Sequence, residues 1–236
     1  MSMFSRIRLR PDVGVARLSR LLGGSAYRQH QYLWNLFHQD KGSREAGFLY
    51  RQEESEGWPL FYVVSQTEPR DDEGIWQIDS KPYRPMLRPG ERLAFTLRAN
   101  IVVTKKPSLG DANKNKRKRH DLVMEAKTRL RAKGIAREAW PPPGELIQEA
   151  GWSWLSSRAD KHGFRIEREE IRADGYRQHR LLKKAAEPIR FSTLDYNGLL
   201  TVTDPNKLTG ALTSGIGPAK GFGCGLLLVR RAGWVQ

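Results

Sequence analysis

The chain has 236 residues, and 41 Lys and Arg against 26 Asp and Glu leave it a formal net charge of +15. That excess excludes an ordinary enzyme of neutral metabolites and points to a polyanionic partner, nucleic acid or an anionic surface. No apolar stretch approaches the roughly 20 residues that span a bilayer, no signal-like segment opens the chain, and the single Cys224 permits neither an internal disulfide nor a cysteine zinc cage, so a cytoplasmic protein without a membrane partner is expected.

Residues 3–10 alternate, with Met3, Ser5, Ile7 and Leu9 on one face and Arg6, Arg8 and Arg10 on the other, which predicts a half-buried strand. Gly23 and Gly24 punctuate the chain, and Ser25 is placed to cap a helix from Ala26 to about Gln39, with Leu33, Leu36 and Phe37 as its core stripe. Residues 48–52 and 60–66 read as a strand pair, and a proline-containing loose stretch leads to a strand over 91–98. The order is that of a ferredoxin-like βαββαβ unit ending near Asn100, so residues 1–100 are expected to form the first domain.

Residues 101–236 are expected to repeat that order as a second ferredoxin-like domain, giving an α+β protein with two tandem units. Its first strand is placed at 101–104 and a helix at 121–133. Strands at 164–170 and 176–182 flank Asp174-Gly175, and strands at 189–196 and 199–203 flank Asn197-Gly198, both read as hairpin turns. Asp204-Pro205 starts the last helix, with an N-cap carboxylate and a proline in the first turn. No sequence-level repeat links the halves.

Two stretches concentrate the basic charge. Residues 105–120 hold seven Lys or Arg and one acid, among them Lys105, Lys106, Lys116, Arg117, Lys118 and Arg119. They read equally as a solvated loop and as a loop ordered on nucleic acid. Residues 158–190 hold ten, including Arg165, Arg168, Arg172, Arg177, Arg180, Lys183 and Lys184, diluted by six acids. This is an ordinary charged surface or a basic β-hairpin suited to the shape of A-form RNA.

None of the five histidines has metal-binding spacing, and the acids do not gather into a catalytic set, so no metal or other cofactor is expected. Tyr27 and His30 lie three apart on the predicted helix, off the apolar stripe and so near its surface. A neutral imidazole beside a phosphate would take the proton of a ribose 2′-hydroxyl; an ordinary surface pair is the plainer alternative. Late in the chain, Gly215, Gly217, Gly221, Gly223 and Gly225 surround Lys220 ahead of an apolar run. Their spacing is neither a Walker loop nor a dinucleotide fingerprint. Backbone brought against phosphate and backbone packed against the first domain both fit it.

Three segments resemble the CasE family of CRISPR-associated endoribonucleases: AYRQHQYLWNLF at 26–37, LRPGERLAFTLRANIVVTKK at 87–106, and DYNGLLTV…GIGPAKGFGCGLLLV within 195–229. The resemblance implies two ferredoxin-like domains and a precursor CRISPR RNA as substrate. It implies cleavage 3′ of a repeat hairpin by 2′-hydroxyl attack without metal. It also implies retention of the mature crRNA alongside the other Cascade subunits. By the Tyr-x-x-His motif it makes His30 catalytic and Tyr27 its assistant. Some family members add a second-domain lysine, for which Lys183 and Lys184 are the nearest candidates. A non-catalytic scaffold that binds an RNA hairpin is the alternative.

Overall fold

The structure, a computed structural model, describes residues 2–13, 26–37, 47–105, 118–183 and 186–233. Strand β1 (Met3–Leu9) alternates as its sequence demands, with Ser5, Ile7 and Leu9 buried and Arg6 and Arg8 exposed. It lies at the centre of a four-stranded antiparallel sheet with β2 (Phe48–Ser55), β3 (Trp58–Ser65) and β4 (Trp76–Pro82), in the order β2-β3-β1-β4. Helix α1 (Ala26–Trp34) covers one face. There Leu33, Leu36 and Phe37 pack with Ile7, Phe48, Tyr50, Phe61 and Trp76, because side chains three and four apart on a helix share a stripe. The expected Gly23–Ser25 cap and the helix end near Gln39 fall outside the described residues.

The second sheet is built from β5 (Arg92–Ala99), β8 (Phe164–Arg165), β9 (Ile171–Lys183), β10 (Ala186–Val202) and β11 (Leu227–Arg231). Its order is β11-β5-β10, with β8 and β9 sharing the far edge of β10. Helices α3 (Pro143–Ala159) and α4 (Pro205–Ser214) cover one face, where Leu93, Phe95 and Leu97 meet Trp154, Leu155, Leu208 and Leu212. Both sheets have the ferredoxin-like strand order 4-1-3-2. The first lacks a second helix among its described residues, and 66–75 runs there as a loop.

Several sequence expectations change. The strand at 91–98 does not close the first sheet; it is the first strand of the second, so that unit begins ahead of residue 101. Alternation shows that a segment is a strand but not which sheet takes it. The edge is filled instead by β4, inside the stretch expected to be loose. Residues 102–104 belong to a separate ribbon, β6 (Val102–Lys105) paired with β7 (Lys118–Asp121), which leads into α2 (Leu122–Ala132).

Neither dipeptide makes a hairpin turn. Gly175 (φ +65°) sits where the β9–β10 register shifts, a glycine bulge within one continuous strand. At Gly198 a Cβ would lie 2.3 Å from the Glu170 carbonyl oxygen, so glycine there permits close backbone approach. No described helix is long and apolar enough to cross a membrane.

Candidate nucleic-acid cleavage site

His30 is half-buried rather than near the surface. On the next strand, Phe48 and Tyr50 point to one face by the two-residue period of β2. The imidazole stacks on both, with ring centroids 5.4 and 5.9 Å away, and meets the edge of Trp34 at 5.6 Å. Among the described residues its Nδ1 is buried without a hydrogen-bond partner. Burial pushes the His30 pKa below the ordinary histidine value, which keeps the ring neutral near pH 7. The helix pattern alone missed this because the cover comes from β2. Tyr27 belongs to α1, one turn before His30; its side chain lies outside the described residues.

The glycine loop reaches the same place. Asp204 caps α4 as anticipated, accepting from the Asn206 and Lys207 amides at 3.0 and 3.1 Å. Beyond α4, Gly215 (φ +76°) presses on Leu49, Gly217 (φ +83°) on the Trp154 ring and Gly223 (φ +76°) on Tyr50. A turn of 3-10 helix at Lys220–Phe222 brings Gly221 to His30. A Cβ at Gly221 would lie 3.8 Å from His30 Cε1 and Nε2, so the glycine faces that imidazole edge without placing a side chain against it. The amides of Gly215, Ile216, Phe222, Gly223 and Gly225 donate to carbonyl oxygens of this chain. Much of the loop is therefore packed and hydrogen-bonded against its own chain. Lys220 stays exposed. Cys224 is buried, which pushes its thiol up to about 12, too high for a nucleophile at neutral pH.

Between the sheets, Arg98 donates to both Asp195 carboxylate oxygens at 2.8 and 2.9 Å, and buried Arg51 stands 4.0 Å from the same group while pairing with Glu53. Beside this network three rings stack: His179 on Phe191 at 4.6 Å, and Phe191 on Phe222 at 4.8 Å. His179 Nε2 shares a hydrogen bond with Thr193 Oγ1 at 2.9 Å. Burial and the charges of Arg98 and Arg177 lower the His179 pKa. None of the three rings was singled out in the sequence. Their signal is the β9–β10 register, which sets Phe191 opposite His179, and that register was hidden by the false turn signals.

The basic residues divide. Arg119 and Arg180 line a groove of about 780 Å³, with Arg190 beside them, and Arg177 lines a smaller hollow next to Tyr50. Arg165, Arg168 and Arg172 instead pair with Glu167, Glu149 and Asp174. Lys105 and Lys118 face each other across the β6–β7 register, and Lys183 ends β9, with side chains outside the described residues. Lys106, Lys116, Arg117 and Lys184 fall outside entirely. Lys183 lies four strand positions past His179, about 13 Å along β9. Among the described residues no group of three His, Cys, Asp or Glu is placed to hold a metal ion.

Residues 3–231 match the family described as CRISPR associated protein. The chain is 30% identical over 229 residues to the CRISPR-associated endoribonuclease Cse3 of Thermus thermophilus, covering 91% of this chain and 94% of that one. It is 27% identical over 220 residues to the CRISPR system Cascade subunit CasE of Escherichia coli K12, covering 89% and 94%. Among solved structures, Thermus thermophilus Cse3 bound to an RNA representing a pre-cleavage complex superposes with a TM-score of 0.63 at 27% identity, covering 97% of this chain and 98% of that one.

Proposed function

The chain belongs to the CRISPR-associated protein family, and on that premise we propose that it is an endoribonuclease of precursor CRISPR RNA. It binds the repeat hairpin, cuts 3′ of the stem and keeps the mature crRNA as a subunit of Cascade in the cytoplasm. The relatives support this class of reading, since one is named an endoribonuclease and the other a Cascade subunit.

The observation that carries the reading is His30: a half-buried, neutral imidazole whose Cε1–Nε2 edge faces Gly221, a residue with no side chain. Neutral imidazole accepts a proton from a ribose 2′-hydroxyl as that oxygen attacks the adjacent phosphorus. The bond to the 5′ oxygen breaks, that oxygen gains a proton, and the products are a 2′,3′-cyclic phosphate and a 5′-hydroxyl. This chemistry needs a base and an acid but no metal. Tyr27, one turn away on α1, is the assisting residue. Arg119, Arg177 and Arg180, with Lys220, supply positive charge for the backbone of the paired stem, whose A-form shape is read mainly through its phosphates.

An end-labelled repeat hairpin in excess EDTA tests the reading, beside a copy with a single 2′-deoxy sugar at the cut. Cleavage of the first alone is expected, and His30→Ala abolishes it while the hairpin stays bound. Binding without any cleavage by the unaltered protein overturns the reading in favour of a scaffold.

A further inference from the structure

The His179–Phe191–Phe222 stack belongs to none of the three hydrophobic clusters of the protein. All three rings are half-exposed. Aromatic rings outside a core give up little water on folding, so packing alone is a weak reason for the ladder. Two strands and the glycine loop converge to build it, and Phe222 adjoins the glycine that faces His30.

The ladder stands between two hollows of different character. On one side is the broad groove edged by Arg119, Arg180 and Arg190. On the other is a slot of about 200 Å³ lined by Tyr50, Gln52, Arg98, Arg177, Thr193 and Asp195 together with the rings. The slot is too small for a duplex and of a size for one planar base. The Arg98 charge is matched by Asp195, so this part of the lining is polar without net charge, which suits a neutral base better than a phosphate. Of the two arginines lining the slot, Arg177 has no carboxylate partner among the described residues, and it can hold the adjoining phosphate. The Gln52 amide offers a donor and an acceptor to a base edge.

We propose that the His179–Phe191–Phe222 ladder is a stacking platform and that the slot beside it takes one unpaired RNA base bordering the cut. This rests on the RNA-cleavage reading above and adds to it a base-recognition subsite built by the second unit. Tyr50 links the two places, since it lines the slot and its ring stacks on His30. Base-on-aromatic stacking tolerates any base, while a single pocket with polar edges selects one.

The test uses the repeat hairpin with a 2′-deoxy sugar at the cut and 2-aminopurine at each bordering nucleotide in turn. Binding to the unaltered protein is expected to quench the fluorescence several-fold at one of the two positions. Phe222→Leu and Phe191→Leu, checked for folding by circular dichroism and thermal midpoint, restore the fluorescence and weaken binding about tenfold. Phe222→Tyr, which keeps the ring, retains the quench. A stem-loop lacking the bordering nucleotides binds all variants alike.

Quenching that persists in both leucine variants overturns the proposal. So does its absence at both positions in an RNA whose all-ribose form is cut. Failure to cut the all-ribose form is the separate outcome that removes the cleavage reading and this subsite with it.

Discussion

The Tyr50 hydroxyl donates to the Gly221 carbonyl oxygen at 3.3 Å, tying a strand of the first sheet to the turn that faces His30. Burial pushes the Tyr50 phenol well above its ordinary pKa, so it remains a donor at every working pH. Tyr50→Phe removes that bond and leaves the ring. The expected loss is about 1 kcal/mol of stability by urea unfolding. Single-turnover cleavage slows as the turn loosens, while hairpin affinity holds. Unchanged cleavage would mean that the bond does not position the turn.

Two glycines of one loop should respond differently to alanine. At Gly217 a Cβ falls 2.8 Å from the Trp154 ring and φ is +83°, so Gly217→Ala costs about 3 kcal/mol. Gly221 does not have a positive φ, and its Cβ would make only ordinary contact with His30. Gly221→Ala therefore keeps the thermal midpoint and lowers the cleavage rate by covering the imidazole edge. A Gly221→Ala protein with full activity would show that this edge is not the reacting one.

Asp195 answers two guanidinium groups, Arg98 and Arg51, in a partly buried setting between the sheets. Asp195→Asn keeps the shape and removes the charge, leaving Glu53 as the other acid paired with Arg51. A loss of about 2 kcal/mol is expected, below the range for fully buried pairs because water still reaches these groups. Arg98→Met combined with Asp195→Leu recovers part of it. If Asp195→Asn unfolds no more readily than the unaltered chain, the network is not a stabilising one.

His30, His162 and His179 all have pKa values lowered from 6.5, each chiefly by burial. Above that value the folded and unfolded chains both hold these rings neutral. As the pH falls below it the unfolded chain binds protons first, so stability declines until the depressed folded values are passed. The thermal midpoint should fall between pH 7 and 5.5, and His30→Ala should flatten part of that slope. Under the proposed mechanism cleavage should keep its rate to below pH 6.5, because there His30 must be neutral to accept a proton. A midpoint that rises on acidification would contradict this.

Much of this architecture is visible in local patterns, and the exceptions share a cause. The alternation of β1, the Leu33–Phe37 stripe and the Asp204-Pro205 helix start are each set by neighbours in the chain. Strand membership is not: β5 alternates perfectly, yet its partners come from far downstream. Asp-Gly and Asn-Gly favour turns in isolation, but pairing along all of β9 and β10 outweighs them and converts the glycines to a bulge and a close approach. The burial of His30 has the same origin, since β2 and the glycine loop supply the neighbours that lower its pKa. The Tyr-x-x-His spacing located the imidazole; only the fold shows its surroundings.

The placement of β5 between β10 and β11 also orders events during synthesis. A nascent chain presents His30 early, on the first helix among the described elements, while the second sheet waits with β5 unpaired until β10 and then β11 emerge. The Lys220–Phe222 turn is made between those two strands. A ribosome that stalls before it therefore leaves an imidazole with no Gly221 opposite, no Tyr50–Gly221 bond and no Phe222 ring. Long-range closure of this kind is slow, and here it makes the proposed cutting centre one of the last parts of the protein to exist.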